Sequence, residues 1–344
     1  MKIPRLVVLA TAAWGGLALL TAVPAAASDT ITLPSLSADA ARVVREAAKQ
    51  ARPLAAAHPV PDLTGDRIAD VLTVTASGNA LEAHAGTGAA AGAGAFGTKV
   101  GVGSIAADRR YVGQADLNGD GYNDVMSLST GGALYFAQHS GTVNGAATFH
   151  PEKNIANGWQ TAALLTFTDF LGKDKENPTE LDGLADILFR VPTDNSVYLY
   201  VNQGVDANGN ITFFSWGKLL NNAQAVTSIA AADVTADGFP DFYTTFTDGS
   251  SRLLDFFAEQ DASGNWVAKW YTITATGAAV HDVRLTTDVN DDGFPDLVTR
   301  TKATGQLEVA LHNKIWNPAS PATVFDTTNR KVLATGWNIY RAVA

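Results

Sequence analysis

Cysteine is absent from all 344 residues. Its absence excludes a disulfide framework, a lipid-modified cysteine anchor and thiol catalysis, so an exported form of this chain must be held together in another way. Histidine is scarce. The six are His58, His84, His139, His150, His281 and His312, and none stands in an HExxH spacing or in a close pair suited to a metal. No GxSxG nucleophile elbow occurs either. Basic residues number 24 against 34 acidic ones, a balance that argues against nucleic acid as a partner. After the first two dozen residues no apolar run reaches the length that spans a bilayer.

What is present begins with Lys2 and Arg5, an apolar run over residues 6–23 and the small-residue stretch PAAAS. This is the pattern of a secretory signal peptide cleaved near Ala27 or Ser28. Residues 1–28 are therefore expected to be a signal, and the remainder to be extracellular with no membrane anchor. Losing Lys2 and Arg5 and no acid takes the net charge from −10 to −12. A helical leader is expected over residues 29–57, because SLSADAARVVREAAKQAR (35–52) places Val43, Val44, Ala47, Ala48 and Ala51 at helical spacing behind Ser37 as N-cap. Such a helix reads as a packing strut or a mobile start; a pro-segment or partner helix is the alternative.

The acidity is concentrated in five versions of one short loop. They are DLTGDRIAD from Asp62, DLNGDGYND from Asp116, a longer variant from Asp169 ending LDGLAD, DVTADGFPD from Asp233 and DVNDDGFPD from Asp288. The first aspartates lie 53 to 55 residues apart except for one step of 64, and roughly nine extra residues, GKDKENPTE, in the third repeat account for it. Alternating apolar and β-branched segments flank each loop, and a further strand, a Gly/Asn-rich turn and an aromatic-bearing segment follow. Those segments centre on Phe96, Phe149, Phe213, Trp266 and Phe325. A unit of about four short strands repeated at this period predicts an all-β fold, a five-bladed β-propeller over residues 58–344.

The loop chemistry follows from its spacing. Carboxylates at positions 1, 5 and 9, a side-chain oxygen at 3 and a backbone carbonyl at 7 would converge and repel one another without a cation, and hard oxygen donors in that number suit Ca²⁺. Glycine at position 6 permits the positive φ that turns the chain. An EF-hand is excluded: it needs a bidentate Glu at position 12, where Ser127 and Thr299 stand within strands.

In these residues, and above all in D-x-N-G-D-G-x-x-D at Asp116, Asn118, Asp120, Gly121 and Asp124, the chain resembles the FG-GAP or VCBS repeats of secreted bacterial proteins and integrin α-subunit propellers. The resemblance covers residues 58–344 and implies a propeller with Ca²⁺ between the first two strands of each blade, in a binding or scaffolding role more often than a catalytic one. Carried onto this sequence, it implies metal sites at Asp62, Thr64, Asp66, Ile68 and Asp70; at Asp116, Asn118, Asp120, Tyr122 and Asp124; at Asp169, Asp182, Leu184 and Asp186; at Asp233, Thr235, Asp237, Phe239 and Asp241; and at Asp288, Asn290, Asp292, Phe294 and Asp296. Up to five ions are expected, the second and fifth loops ranking first. Thr64 and Thr235 are weaker ligands, Arg67 replaces the glycine of the first loop, and the insertion interrupts the third.

Paired aspartates can hydrolyse glycosides, but their regular repetition marks them as ligands first. No enzyme is therefore expected; a secreted hydrolase and a purely structural adhesion module are the rival readings. Phe96, Phe149 and Trp266 recur at equivalent positions, as do Trp159 and Trp337, and read as packing between blades. Trp270, Tyr271 and Trp316 break the repeat and become the ligand candidates. The expectation is a monomeric extracellular binding module, its ligand a glycan ahead of a protein. His84, His139 and His312 are expected at one shared register.

Closure is legible at the two ends. AAAHPVP stands before Asp62 where later motifs have a strand, while Tyr340 to Ala344 match Tyr111 to Ala115 with no motif after them. Residues 337–344 are thus expected to supply the missing strand of the first blade beside residues 68–76; an open ring completed by a second copy is the alternative.

Overall fold

The computed structural model describes residues 31–47, 61–89, 92–172, 181–207, 209–263 and 266–344. The expected signal peptide, the last part of the leader and the third repeat's insertion from residue 173 lie outside the described residues. Thr32–Ala344 form one unit.

The chain starts with β1 (Ser35–Leu36) and α1 (Ala38–Ala47), then β2 (Val71–Thr75), β3 (Ala80–His84) and β4 (Val100–Ser104). The second blade is β5 (Arg109–Ala115), β6 (Asp124–Ser129), β7 (Leu134–Ala137) and β8 (Lys153–Ala156). The third is β9 (Leu164–Thr168), β10 (Asp186–Val191), β11 (Ser196–Val205) and β12 (Ile211–Asn221). The fourth is β13 (Val226–Ala232), β14 (Asp241–Phe246), β15 (Ser251–Gln260) and β16 (Trp266–Thr274). The fifth is β17 (His281–Thr287), β18 (Asp296–Thr301), β19 (Gln306–Ala310) and β20 (Lys331–Ala334), and β21 (Tyr340–Val343) ends the order. Each blade is an antiparallel sheet in sequence order except the first, which runs β21-β2-β3-β4. The fold is a five-bladed β-propeller.

The second strand of a blade is covered on both faces by the neighbouring blades, which is why β6 and β14 are buried at every position. Apolar cores accordingly lie between blades rather than within one. Leu72 and Leu81 of the first pack with Val125 and Ala137 of the second, and Val234 and Tyr243 of the fourth with Leu297 and Phe325 of the fifth. Phe170 enters an aromatic cluster with Phe239, Phe242 and Phe256 across the third seam. Each such buried side chain contributes about 1.5–3 kcal/mol.

The ring closes as the ends of the sequence predict. β21 pairs with β2 through Thr73↔Val343, Val74↔Ala342 and Thr75↔Tyr340. Leu72 and Ala344 exchange backbone hydrogen bonds at 2.8 Å. Buried Arg300 donates to the carbonyls of Trp337 (2.9 Å) and Tyr340 (2.7 Å) while paired with Asp282, and Gln114 Nε2 donates to the carbonyls of Asp70 and Ala344.

Two features depart from the sequence reading. In the first, second and fifth blades the aromatic segment precedes the outer strand, as the isolated bridges Gly86↔Phe96, His139↔Phe149 and His312↔Phe325; only in the long hairpins of the third and fourth blades do Phe213 and Trp266 lie within it. And the leader is more than a helix. Ser37 Oγ accepts the Ala40 N–H as the N-cap expected of it, but the two residues before it form β1, a fifth strand on the outer edge of the third blade.

Candidate functional site: the ring of motif loops

Each acidic loop joins the first and second strands of its blade, or for the first blade stands immediately before β2, so all five lie at one end of the propeller. One hydrogen-bonding scheme serves all of them. The position 1 carboxylate accepts the N–H of position 6: Arg67 to Asp62, Gly121 to Asp116, Gly183 to Asp169, Gly238 to Asp233 and Gly293 to Asp288, at 2.7–2.8 Å. The position 5 carboxylate accepts the N–H of position 7: Ile68 to Asp66, Tyr122 to Asp120, Leu184 to Asp182, Phe239 to Asp237 and Phe294 to Asp292. Each loop is thereby wound around its own first aspartate. Position 6 has positive φ throughout, and Arg67, at +68°, adopts it without being glycine.

Position 9 has a different task. One oxygen of Asp70, Asp124, Asp186 and Asp296 accepts an N–H from the start of the loop, donated by Leu63, Leu117, Phe170 and Val289. The other accepts an N–H from sixteen or fifteen residues on, donated by Gly86, His139 and His312 just beyond the third strand and by Asn202 within the longer β11. These aspartates are buried ties between loop and sheet. Burial pushes their carboxyls up, Asp70 to about 6 and Asp124 and Asp296 to about 7, and the position 1 and position 5 carboxylates beside Asp124 and Asp296 add to the rise. In the fourth loop Phe257 donates instead to Asp255, a second buried carboxylate; burial first and Asp237, Asp255 and Asp233 next push Asp241 well up.

In two blades the residue that makes this second tie also reaches the preceding blade. Asn202 Nδ2 donates to the carbonyl of Leu117 (2.8 Å), and His312 Nε2 lies 2.9 Å from that of Val234. Lys314 N–H donates to His312 Nδ1, so the ring is the neutral Nε2–H tautomer. Gly86 occupies this place in the first blade. His84 is therefore not in register with His139 and His312: it sits two residues earlier, within β3, beside Thr73, Trp337 and Tyr340. Further links run between successive loops, Asn123 N–H to the Asp62 carbonyl and Ala185 N–H to that of Asp116. The Tyr122 ring covers Gly65, where a Cβ would come within 2.6 Å of it.

The donors at positions 1, 3, 5 and 7 are oxygens of the chemistry Ca²⁺ prefers. Among the described residues, no three His, Asp or Glu side chains converge closely enough to hold a metal ion; position 1 is turned into its own loop and position 9 into the sheet. The second and fifth loops differ in one respect that their motifs conceal. Lys314 Nζ lies 3.2 Å from Asp292 Oδ2, so the fifth loop has a cation of its own.

Behind the loops the inner strands β5, β9, β13, β17 and β21 surround an axial cavity of about 510 Å³, with Thr166, Phe167, Thr168 and Arg284 in its wall and the first aspartates of four loops at its mouth. The Phe167 ring lies so close to Gly113 that a Cβ there would meet it at 2.2 Å. The three aromatic ligand candidates are engaged elsewhere. Trp270 is half-buried and donates its indole N–H to the Pro34 carbonyl at 2.8 Å. Tyr271 is buried, edge-on to half-buried Trp316. No sequence signal marked the cavity, because its lining is drawn a few residues at a time from all five repeats and the last strand, with alanine, threonine and glycine making up nearly half of it.

Residues 181–244 match the FG-GAP-like repeat family, a stretch that runs from the end of the third loop through the fourth loop into β14. No curated protein is similar to the chain at a significant level. Among solved structures the chain is similar to an Agrocybe aegerita lectin described as specifically recognising non-reducing terminal N-acetylglucosamine, at 15% identity with a TM-score of 0.38, over 78% of this chain and 65% of that one.

Proposed function

We propose that this chain, which carries an FG-GAP-like repeat, is an extracellular binding module whose propeller is stabilised by Ca²⁺ and whose ligand is a carbohydrate. The observation that carries the reading is the cavity at the axis, ringed at its mouth by loops of one construction. Its volume falls within the range of about 300–1,000 Å³ usual for small-molecule sites, and an aromatic ring beside threonine hydroxyls suits a molecule with both apolar faces and hydroxyls. The extracellular setting rests on the signal peptide read from residues 1–28.

Calcium would be held by Asp116, Asn118, Asp120 and the Tyr122 carbonyl in the second loop, and by the corresponding oxygens of the fifth. When bound, it would neutralise carboxylates that otherwise oppose one another around Asp124 and Asp296. Lys314 competes in the fifth loop, so the second ranks first. The affinity expected of an extracellular module is about 10⁻⁴ to 10⁻³ M.

The test has two parts. Excess EDTA should lower the melting temperature and Ca²⁺ restore it, with Asp120→Ala losing more of that response than Asp66→Ala. A glycan array on the calcium-loaded protein should give discrete positives. A melt indifferent to EDTA removes the metal, and an array without positives, set beside turnover of a glycoside or ester, would replace the binding module with the hydrolase.

A further inference from the structure

The leader lies across a seam. Its β1 extends the third blade, Ser35 opposite Asn221 and Leu36 opposite Leu220 on β12, and the Ser37 N–H donates to the Leu219 carbonyl at 2.9 Å. Just before it, buried Pro34 offers its carbonyl to Trp270 on β16 of the fourth blade. Trp270 itself is wedged edge-on against Phe246. After β1, α1 packs against both β12 and β16, with Ala40 fully covered. A segment joined to the propeller through residues 48–60 is thus held by main-chain bonds to one blade and by an indole on the next.

These are the elements of peptide recognition by strand addition: an outer sheet edge supplies the main-chain bonds, and a side chain on the neighbouring blade fixes the residue next to the added strand. β12 without β1 would present unpaired N–H and C=O groups. A proline is accommodated there, because Pro34 is buried beside Trp270 and the indole bonds to its carbonyl, so that its missing N–H leaves no bond unmade.

We infer that the seam between the third and fourth blades is a peptide-binding site for an extended, proline-containing apolar segment followed by a serine-capped helix, and that residues 33–47 are its ligand carried in cis. The site is separate from the axial cavity and from the motif loops. It assigns Trp270 a ligand, though a peptide and not a sugar.

The test keeps the whole chain. A specific protease sequence replacing residues 52–57 allows the folded protein to be cut between leader and propeller. A fluorescein-labelled synthetic peptide of residues 32–47 should then exchange into the cut protein, read as a saturable rise in anisotropy, and should not bind the uncut protein. Ser37→Pro in the peptide, which deletes the N–H given to Leu219, and Trp270→Ala in the protein should each weaken uptake about tenfold. Uptake into the uncut protein accompanied by dimers, the leader of one copy on another, also supports the site. No uptake after cutting, or uptake insensitive to Ser37→Pro in the peptide, overturns it, and the peptide variant decides the matter even if Trp270→Ala fails to fold.

Discussion

The first and second blades have the same four-stranded layout, loops wound the same way and the same ties, yet they are assembled differently. The second is continuous in sequence from β5 to β8. The first borrows its inner strand from the opposite end of the chain and winds its loop with Arg67 where the second has Gly121. Since both loops reach the same hydrogen bonds, the conformation is imposed by the carboxylates and the seam more than by the glycine.

The largest expected effect falls on the borrowed strand. Deleting residues 337–344 removes the partner of β2, the buried Trp337 and Tyr340, and the carbonyls that hold Arg300. The truncated protein should lose cooperative unfolding or aggregate, as seen by calorimetry and size-exclusion chromatography; a monomer that melts normally would show that the first blade needs no borrowed strand.

Next come the ties. Asp124→Ala strands the N–H groups of Leu117 and His139 in a buried site, and Asp70→Ala strands those of Leu63 and Gly86. Each should cost roughly 2–4 kcal/mol in denaturant titration, and the two blades should respond alike. A much smaller loss in the first would mean that its loop is held by closure alone.

A gentler difference should appear with pH. Asp70 titrates at about 6 and Asp124 and Asp296 at about 7, against about 4 for an unfolded chain. Because these folded-state values are raised, the native state holds protons that the unfolded state has already released between about pH 4 and 7. Metal-free protein should therefore become more stable as pH falls from 8 to 5, and saturating Ca²⁺ should flatten the trend. Asp124→Asn should remove more of it than Asp70→Asn, the Asp70 carboxyl being the less displaced.

The smallest effect concerns position 6. Arg67 carries the strain of a left-handed side chain, so Arg67→Gly should stabilise by about 0.5–1 kcal/mol, while Gly121→Ala should destabilise by about 1 kcal/mol. Equal and opposite shifts in melting temperature would express the comparison most directly.

Much of this architecture was legible. Five aspartate motifs at a near-constant period gave five blades, and the missing strand before Asp62 with the surplus one after Gly336 gave the closure. Ser37 marked the helix cap. What escaped reading depended on contacts between residues distant in sequence. The two residues of β1 are too few to form a periodic pattern, and nothing near Trp270 announces Pro34 as its acceptor. His84 was misplaced by a two-residue slip that spacing cannot detect. The position 9 aspartates looked like the other acids of the loop, and only the N–H groups they accept from the third strand's side of the sheet mark them as ties. The axial cavity had no signature because alanine and threonine carry little information singly.

The pairing of β2 with β21 also sets a schedule. On the ribosome β2 and β3 emerge early, but the strand that covers the open edge of β2 follows only after the strands of the other four blades. Until then the nascent chain must carry an unprotected sheet edge, and the first blade, though first in sequence, is the last that can be completed. A molecule so arranged keeps one blade waiting while the other four are made, which makes that interval the time when it most needs a chaperone.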